Sequence, residues 1–446
     1  MKKIISFLVL ACLVSQLYAQ PVGQKIDELL TAYASQNKLN GSVLVAQKGK
    51  IIYEKGFGYR NAETKTPNDV NSIFQIGSIT KQITAAVIMQ LQQQGKLSVQ
   101  DKLSKYFSGF ANGDKITIEN LLTHTSGIHN YTDDTVLVGN SNVTKHYSRD
   151  EMIKIFQSYP SDFEPGTKWN YSNSAYSLLG YIIEKVEKKP YERVVRERIF
   201  QPLGMKNSGF DFTNLSSPNK AKGYFSLAEK PLPAPIVDST ISYAAGAVYS
   251  TVEDLYKWES AISSNKILKP ESWKAVFTPY KNKYGYGWAI DSVYGRLTTS
   301  HSGGIHGFSS YILRFPQDEV AVIVFDNSGS NALGRISLAV AAILFNEKYE
   351  IPATKKEIAV DTSILKQYVG EYQLAPNFSI TISLGENGLK GQATDQAAFD
   401  LYAEKENVFF LKVVEAKVEF VKDANGNVAE LILYQNGQQP RGKKIK

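Results

Sequence analysis

A hydroxyl at Ser78 and an amine at Lys81 stand three positions apart in the run IFQIGSITKQITAAVIMQLQQQG, residues 73–95. On a helix that spacing brings both to one face, one turn apart. A serine hydroxyl becomes a useful nucleophile when a neighbouring base takes its proton, and a lysine one turn along can be that base. The chemistry would be acyl transfer. The tetrad alone is a weak signal, since Ser35 and Lys38, Ser217 and Lys220, Ser263 and Lys266, and Ser363 and Lys366 repeat it. Only the Ser78 copy follows an apolar approach strand and opens a long apolar helix. A helix start favours negative charge, and the Ser78 N–H there can face a developing oxyanion. The plain alternative is that Ser78 caps the helix and Lys81 is solvated.

Two further clusters carry the right residue types. Tyr171-Ser172-Asn173 ends a glycine-containing turn before a helix. A tyrosine of depressed pKa beside a lysine can relay a proton, and Asn173 can anchor a substrate amide or hold Lys81. The alternative is a helix cap at Asn173 or Ser174 with Tyr171 packed on the surface. His301-Ser302-Gly303-Gly304 closes one strand and leads to the next. Its glycines let a substrate approach the backbone; a tight hairpin that happens to hold a histidine is the other reading.

The elements that must position these groups follow from periodicity. Residues 23–37 predict a helix, Ser42–Ala46 and Ile51–Tyr59 a hairpin about Lys48-Gly49-Lys50, and Ile83–Leu91 the helix behind Ser78, stopped by Gly95. Residues 149–260 read as mostly helical, with Ser174–Val186 and Tyr191–Phe200 as clear segments. Loops 131–147 and 210–240 carry no motif. Residues 284–290, 296–301, 308–314 and 319–326 predict strands, and Asn331–Phe345 a helix. One antiparallel sheet drawn from both ends of this segment, with helices on its faces and a helical subdomain, is the expected α/β (α+β) architecture. Beyond about 361 the texture changes to short alternating runs separated by turns such as Asp423-Ala424-Asn425-Gly426. That predicts a second, small all-β barrel-like domain.

With these pieces in the same order, the chain resembles the serine β-lactamase and penicillin-binding-protein superfamily, in the branch of class C β-lactamases, D,D-carboxypeptidases and esterases. Ser78-Ile79-Thr80-Lys81 stands as its S-x-x-K, Tyr171-Ser172-Asn173 as Y-x-N, and His301-Ser302-Gly303 as the strand motif, K-T-G in many members and H-[ST]-G in others. Leu121–Ile128 (LLTHTSGI), Pro202-Leu203-Gly204-Met205 and Ala245–Ser250 (AGAVYS) support the likeness. It implies a β-lactamase-like transpeptidase fold over about residues 25–345, with a β-rich accessory module behind it. It also implies Ser78 as nucleophile, with Lys81 and Tyr171 sharing the general-base work. The resemblance leaves open which of the two takes the proton. Asn173 would orient substrate and amine, and the N–H groups of Ser78 and Gly304 would form an oxyanion hole. The expected activity is hydrolysis of an amide or ester, such as a D-amino-acid peptide or small ester. A weak β-lactamase and a non-catalytic envelope binding protein are the alternatives. Histidine at 301 removes the fixed strand cation, which lowers the expectation of β-lactam hydrolysis, though the ring can still donate a hydrogen bond.

Composition narrows the rest. The chain has 446 residues and a formal charge of +7 without a basic patch, so neither nucleic acid nor a lipid surface is an expected partner. A peptide or small substrate, cell-wall derived in one reading, is expected, with polymer or protein contact through the C-terminal domain. Lys2 and Lys3 precede an apolar stretch ending in small residues at Ala19, which reads as a secretory leader too short to span a membrane. The expected boundaries are a signal peptide at 1–19, a hydrolase domain at 20–350, a linker at 351–360 and a β-rich domain at 361–446. The product is exported, periplasmic or extracellular; lipid anchoring at Cys12 is the lesser alternative. Cys12 is the one cysteine, so the mature chain can use no thiol or disulfide. The five histidines form no metal-ligand spacing; no metal and no cofactor are expected.

Overall fold

The computed structural model describes residues 20–134, 139, 142–227, 231–352, 357–385, 388–411, 416–435 and 438–446. The leader at 1–19 with Cys12, and parts of the expected linker and of loops 131–147 and 210–240, lie outside these residues.

Chain contacts divide the molecule into two compact units, one built on Leu39–Phe225 and Pro233–Ile351, the other on Pro352–Lys446. The first is organised by a six-stranded antiparallel sheet. Its strands lie in the order Lys50–Gly56, Gly41–Gln47, Val320–Asp326, Phe308–Phe315, Arg296–Ile305, Ala289–Val293. Gly41–Gln47 (GSVLVAQ) and Val320–Asp326 (VAVIVFD) are apolar almost throughout and buried almost throughout. A strand without polar alternation must have both faces covered. The helices Val252–Ser263 and Leu333–Phe345 pack on these central strands. The edge strand KIIYEKG carries Lys50, Glu54 and Lys55 in exposed or half-buried positions, which discourages pairing with another chain.

The helix Thr80–Gln93 buries every residue from Thr80 to Met89, and Leu91. A helix apolar nearly all round belongs in a core, and here that burial takes Lys81 with it. The helix stops where Gly95 takes φ +68°, a conformation costly for any residue with a Cβ. Asn173–Glu187 starts where the Ser172 hydroxyl accepts the Ala175 N–H.

The strand expected at 284–290 begins only at Ala289. Tyr284–Trp288 instead turns about Gly287 at φ +78°, where an added Cβ would lie 2.9 Å from the Lys81 carbonyl oxygen. Close packing against the central helix therefore overrides the alternating pattern.

The second unit is a closed barrel of eight described antiparallel strands between Gly370 and Lys444. Closure leaves no open sheet edge. Its core holds Tyr368, Tyr372, Phe409 and Phe420, with Tyr368 and Phe420 stacked at 4.3 Å. The short strand Val408–Phe410 ends before residues 412–415, which lie outside the described residues.

Candidate active site

Ser78 is carried by a single 3-10 turn, Gly77–Ile79, that enters the helix at Thr80. The approach is tied down on two sides. Phe74-Gln75 pairs with Tyr249-Ser250. The Ile76 N–H donates to the Val248 carbonyl at 2.9 Å, and its own carbonyl accepts the Ser310 hydroxyl at 2.7 Å. Two glycines allow this turn to press on the strand Arg296–Ile305. A Cβ on Gly303 would lie 2.0 Å from the Ile76 oxygen, and one on Gly77 would lie 2.7 Å from the Gly304 nitrogen. The backbones of Ser78 and Gly304 are thereby brought side by side. A Cβ on Gly304 would meet nothing within 4 Å, and Ser302 is exposed. These two residues, two apart on a strand, share its open face.

Lys81 has no solvent exposure. Its Nζ lies 3.0 Å from Ser78 Oγ, 2.7 Å from Asn173 Oδ1 and 2.9 Å from the Ala245 carbonyl oxygen. Burial holds its pKa well below the ordinary lysine range, because the charged form loses its water. A neutral amine has two N–H groups and one lone pair. The amide oxygen of Asn173 and the Ala245 carbonyl can only accept, so they take both N–H groups. In that neutral form the lone pair is left for Ser78, whereas the ammonium form donates to all three oxygens. Nζ also lies over the Tyr171 ring, 4.7 Å from its centroid.

Tyr171 hydrogen-bonds Ser78 through its hydroxyl. The depressed pKa expected of it is not found. Burial pushes the hydroxyl up, and the bond to Ser78 opposes this only in part. Tyr171 is therefore a neutral phenol with its proton available.

Asn173 serves the amine. Its Nδ2 donates to Asn130 Oδ1 at 3.2 Å and Thr132 Oγ1 at 3.0 Å, which fixes the amide with its oxygen toward Lys81. Both Nδ2 protons are thus spent inside the protein, and Oδ1 keeps one lone pair beyond its bond to Lys81.

His301 is 6% exposed. Its Nδ1 lies 2.6 Å from the Ser302 carbonyl oxygen and its Nε2 2.8 Å from the Tyr284 hydroxyl. Both ring nitrogens have partners inside the protein. A hydrogen bond from this ring to a substrate would have to displace one of them.

The structure thus brings Ser78, Lys81, Tyr171, Asn173 and His301–Gly304 together. It adds groups that sequence reading passed over: Asn130, Thr132, the Ala245 carbonyl, His124 and Tyr284. The His124 ring lies 4.3 Å from that of Tyr171, and its Nδ1 accepts the Ser172 N–H at 3.1 Å. The Ala245 carbonyl is aimed by a strained residue, Tyr243, at φ 33° and ψ −132°. Its ring stacks on Tyr181 at 4.7 Å. No local pattern announces these partners; they are met only through long-range packing.

Comparison with known proteins agrees with this geometry. The model of the family described as Beta-lactamase matches residues 22–346, and that of a domain of unknown function (DUF3471) matches residues 354–444. Penicillin-binding protein 4* of Bacillus subtilis is 28% identical, covering 94% of this chain and 98% of its own length. The octameric penicillin-binding protein homologue from Pyrococcus abyssi superposes with a TM-score of 0.69 at 26% identity, covering 95% of this chain and all of that one. A D-stereospecific amidohydrolase from Streptomyces sp. superposes with a TM-score of 0.60 at 25% identity, covering 71% of this chain and 99% of that one.

Proposed function

This chain belongs to the beta-lactamase family of serine hydrolases and penicillin-binding-protein-like enzymes, and on that footing we propose that it is an exported hydrolase that forms an acyl-enzyme on Ser78. The observation that carries the proposal is the amine of Lys81, fully buried, 3.0 Å from Ser78 Oγ and held by Asn173 Oδ1 and the Ala245 carbonyl oxygen. Lys81 takes the serine proton as Oγ attacks the carbonyl carbon. The oxyanion lies between the N–H groups of Ser78 and Gly304. Tyr171, neutral and bonded to Ser78, passes a proton to the departing amine or alcohol. Water then attacks the ester, the proton path runs in reverse, and the acid product leaves.

The substrate class we propose is an amide or ester of a D-amino acid. It rests on the likeness to the D-stereospecific amidohydrolase and on the lack of a lysine at position 301. Acylation by penicillins is a second reading, supported by the likeness to Penicillin-binding protein 4* along nearly the whole chain.

Labelling tests both readings. A fluorescent fluorophosphonate should mark the wild type and leave Ser78→Ala dark. A fluorescent penicillin marks Ser78 only under the second reading. Absence of both labels from folded wild-type protein would sink the proposal. Export predicts a mature N-terminus at Gln20, read by mass spectrometry of protein secreted by a bacterial host.

A further inference from the structure

His301 stands where many relatives of this fold carry a strand lysine, and its ring is held on both sides. The Ser302 carbonyl, 2.6 Å from Nδ1, can only accept, so Nδ1 carries a proton. Nε2, 2.8 Å from the Tyr284 hydroxyl, is then the acceptor of a neutral ring, and Tyr284 is the donor; Tyr176, the other hydroxyl beside Tyr284, gives its own proton to the Leu122 carbonyl at 2.8 Å. The alternative is an imidazolium with Nε2–H aimed at the Tyr284 oxygen. The surroundings oppose it. The ring is buried, and burial with nearby Lys81 pushes its pKa down to about 4. The polar and titratable groups around it are Lys81, His124, Tyr171 and Tyr284, none of them a carboxylate.

Tyr284 is itself held rigidly. Its ring is buried and lies 4.7 Å from that of His124, 6.1 Å from Trp169 and 6.5 Å, edge to face, from Tyr171. His124 accepts the Ser172 N–H and so holds the segment that carries both Tyr171 and Asn173. One cluster of rings therefore joins the strand residue His301 to the hydroxyl beside Ser78.

We infer that Tyr284 is a positioning residue of the Ser78 site: its hydroxyl holds His301 as the neutral Nδ1–H imidazole, and its ring helps fix Tyr171 against Ser78. The strand then offers Ser302 and Gly304 to a substrate and no charge at position 301. A cation there would lie against Tyr171 and draw its proton away; the neutral ring leaves that proton in place for the leaving group. The inference rests on the proposed role of Ser78, but its first readout does not.

The test is nitrogen-15 NMR of the mature protein with labelled histidine, His301→Asn identifying the His301 signals. Wild type should show a protonated Nδ1 and an unprotonated, hydrogen-bonded Nε2, unchanged between roughly pH 5.5 and 8. Tyr284→Phe keeps the ring and removes the donor. Its Nε2 signal should shift, and kcat on a D-aminoacyl amide should fall about tenfold with KM little changed. An Nε2–H tautomer in wild type overturns the inference, and so does Tyr284→Phe with an unchanged Nε2 signal or unchanged kcat. If Tyr284→Phe does not fold, the wild-type tautomer decides alone. If Ser78 takes no label while the tautomer is as stated, the functional proposal fails by itself.

Discussion

The Nζ of Lys81 lies 2.7 Å from Oδ1 of Asn173, a residue 92 positions further along the chain. Asn173 heads one helix and Lys81 lies in the first turn of another, and Asn130 and Thr132 hold the amide so that its oxygen, not its nitrogen, meets the amine. This orientation matters because it consumes an N–H of Lys81 and leaves the lone pair for Ser78.

Replacing that oxygen by a charge should therefore retune the base. Asn173→Asp places a carboxylate against the amine, favours the ammonium form and raises the Lys81 pKa by about 1–3 units. The acidic limb of the kcat/KM profile should move to higher pH by a similar amount. A profile that keeps the wild-type limb would argue against Lys81 as the base.

Lys81 should also cost the fold stability. Its folded pKa is lowered while the unfolded chain has an ordinary lysine. Between those two values the unfolded state binds more protons, so stability rises with pH, by at most about 1.4 kcal/mol per unit from this group. Lys81→Met removes the titration. Urea unfolding should find the variant more stable near pH 7 and its stability less dependent on pH up to 9. Equal slopes in the two proteins would contradict this.

Adjacent glycines on the strand should respond differently. A methyl on Gly303 meets the Ile76 oxygen at 2.0 Å and the Ser310 Oγ at 2.3 Å, so Gly303→Ala should lose on the order of 1–3 kcal/mol. A methyl on Gly304 meets nothing within 4 Å. Gly304→Ala should leave the melting temperature nearly unchanged and reduce kcat/KM about tenfold by filling the side open to substrate. The pair is read by calorimetry beside kinetics. Equal stability losses would show that the open face has been misplaced.

In the barrel, Phe420 touches Tyr368, Tyr372 and Phe409 at ring separations of 4.3, 5.7 and 5.6 Å. Phe420→Ala should destabilise it by about 3–5 kcal/mol. Hydrogen exchange across residues 370–444 should accelerate. Unchanged protection there would mean that Phe420 is not central to this core.

Much was legible before any coordinates. Ser78 and Lys81 can share a helical face by spacing alone, and the apolar run after Ser78 marks that helix as buried. Alternation beyond residue 361 reads as β structure. Tyr284 was taken for part of a strand because its neighbourhood alternates, and only packing of Gly287 on the Lys81 carbonyl bends it into a turn. Among the barrel strands, Gly370–Ala375 and Arg441–Lys444 carry little apolar alternation to read.

Residue types and their order pointed to the proposed chemistry: a serine, an amine one turn away, a tyrosine, an amide and a glycine-rich strand, with Cys12 the one cysteine. Protonation and direction were decided by tertiary structure. Burial, not sequence neighbours, pushes the Lys81 pKa down and the Tyr171 pKa up, and a tyrosine 17 positions before His301 closes the second side of that ring. Spacing along a chain says which groups can meet. The water removed around them, and the partners that replace it, say which proton each one holds.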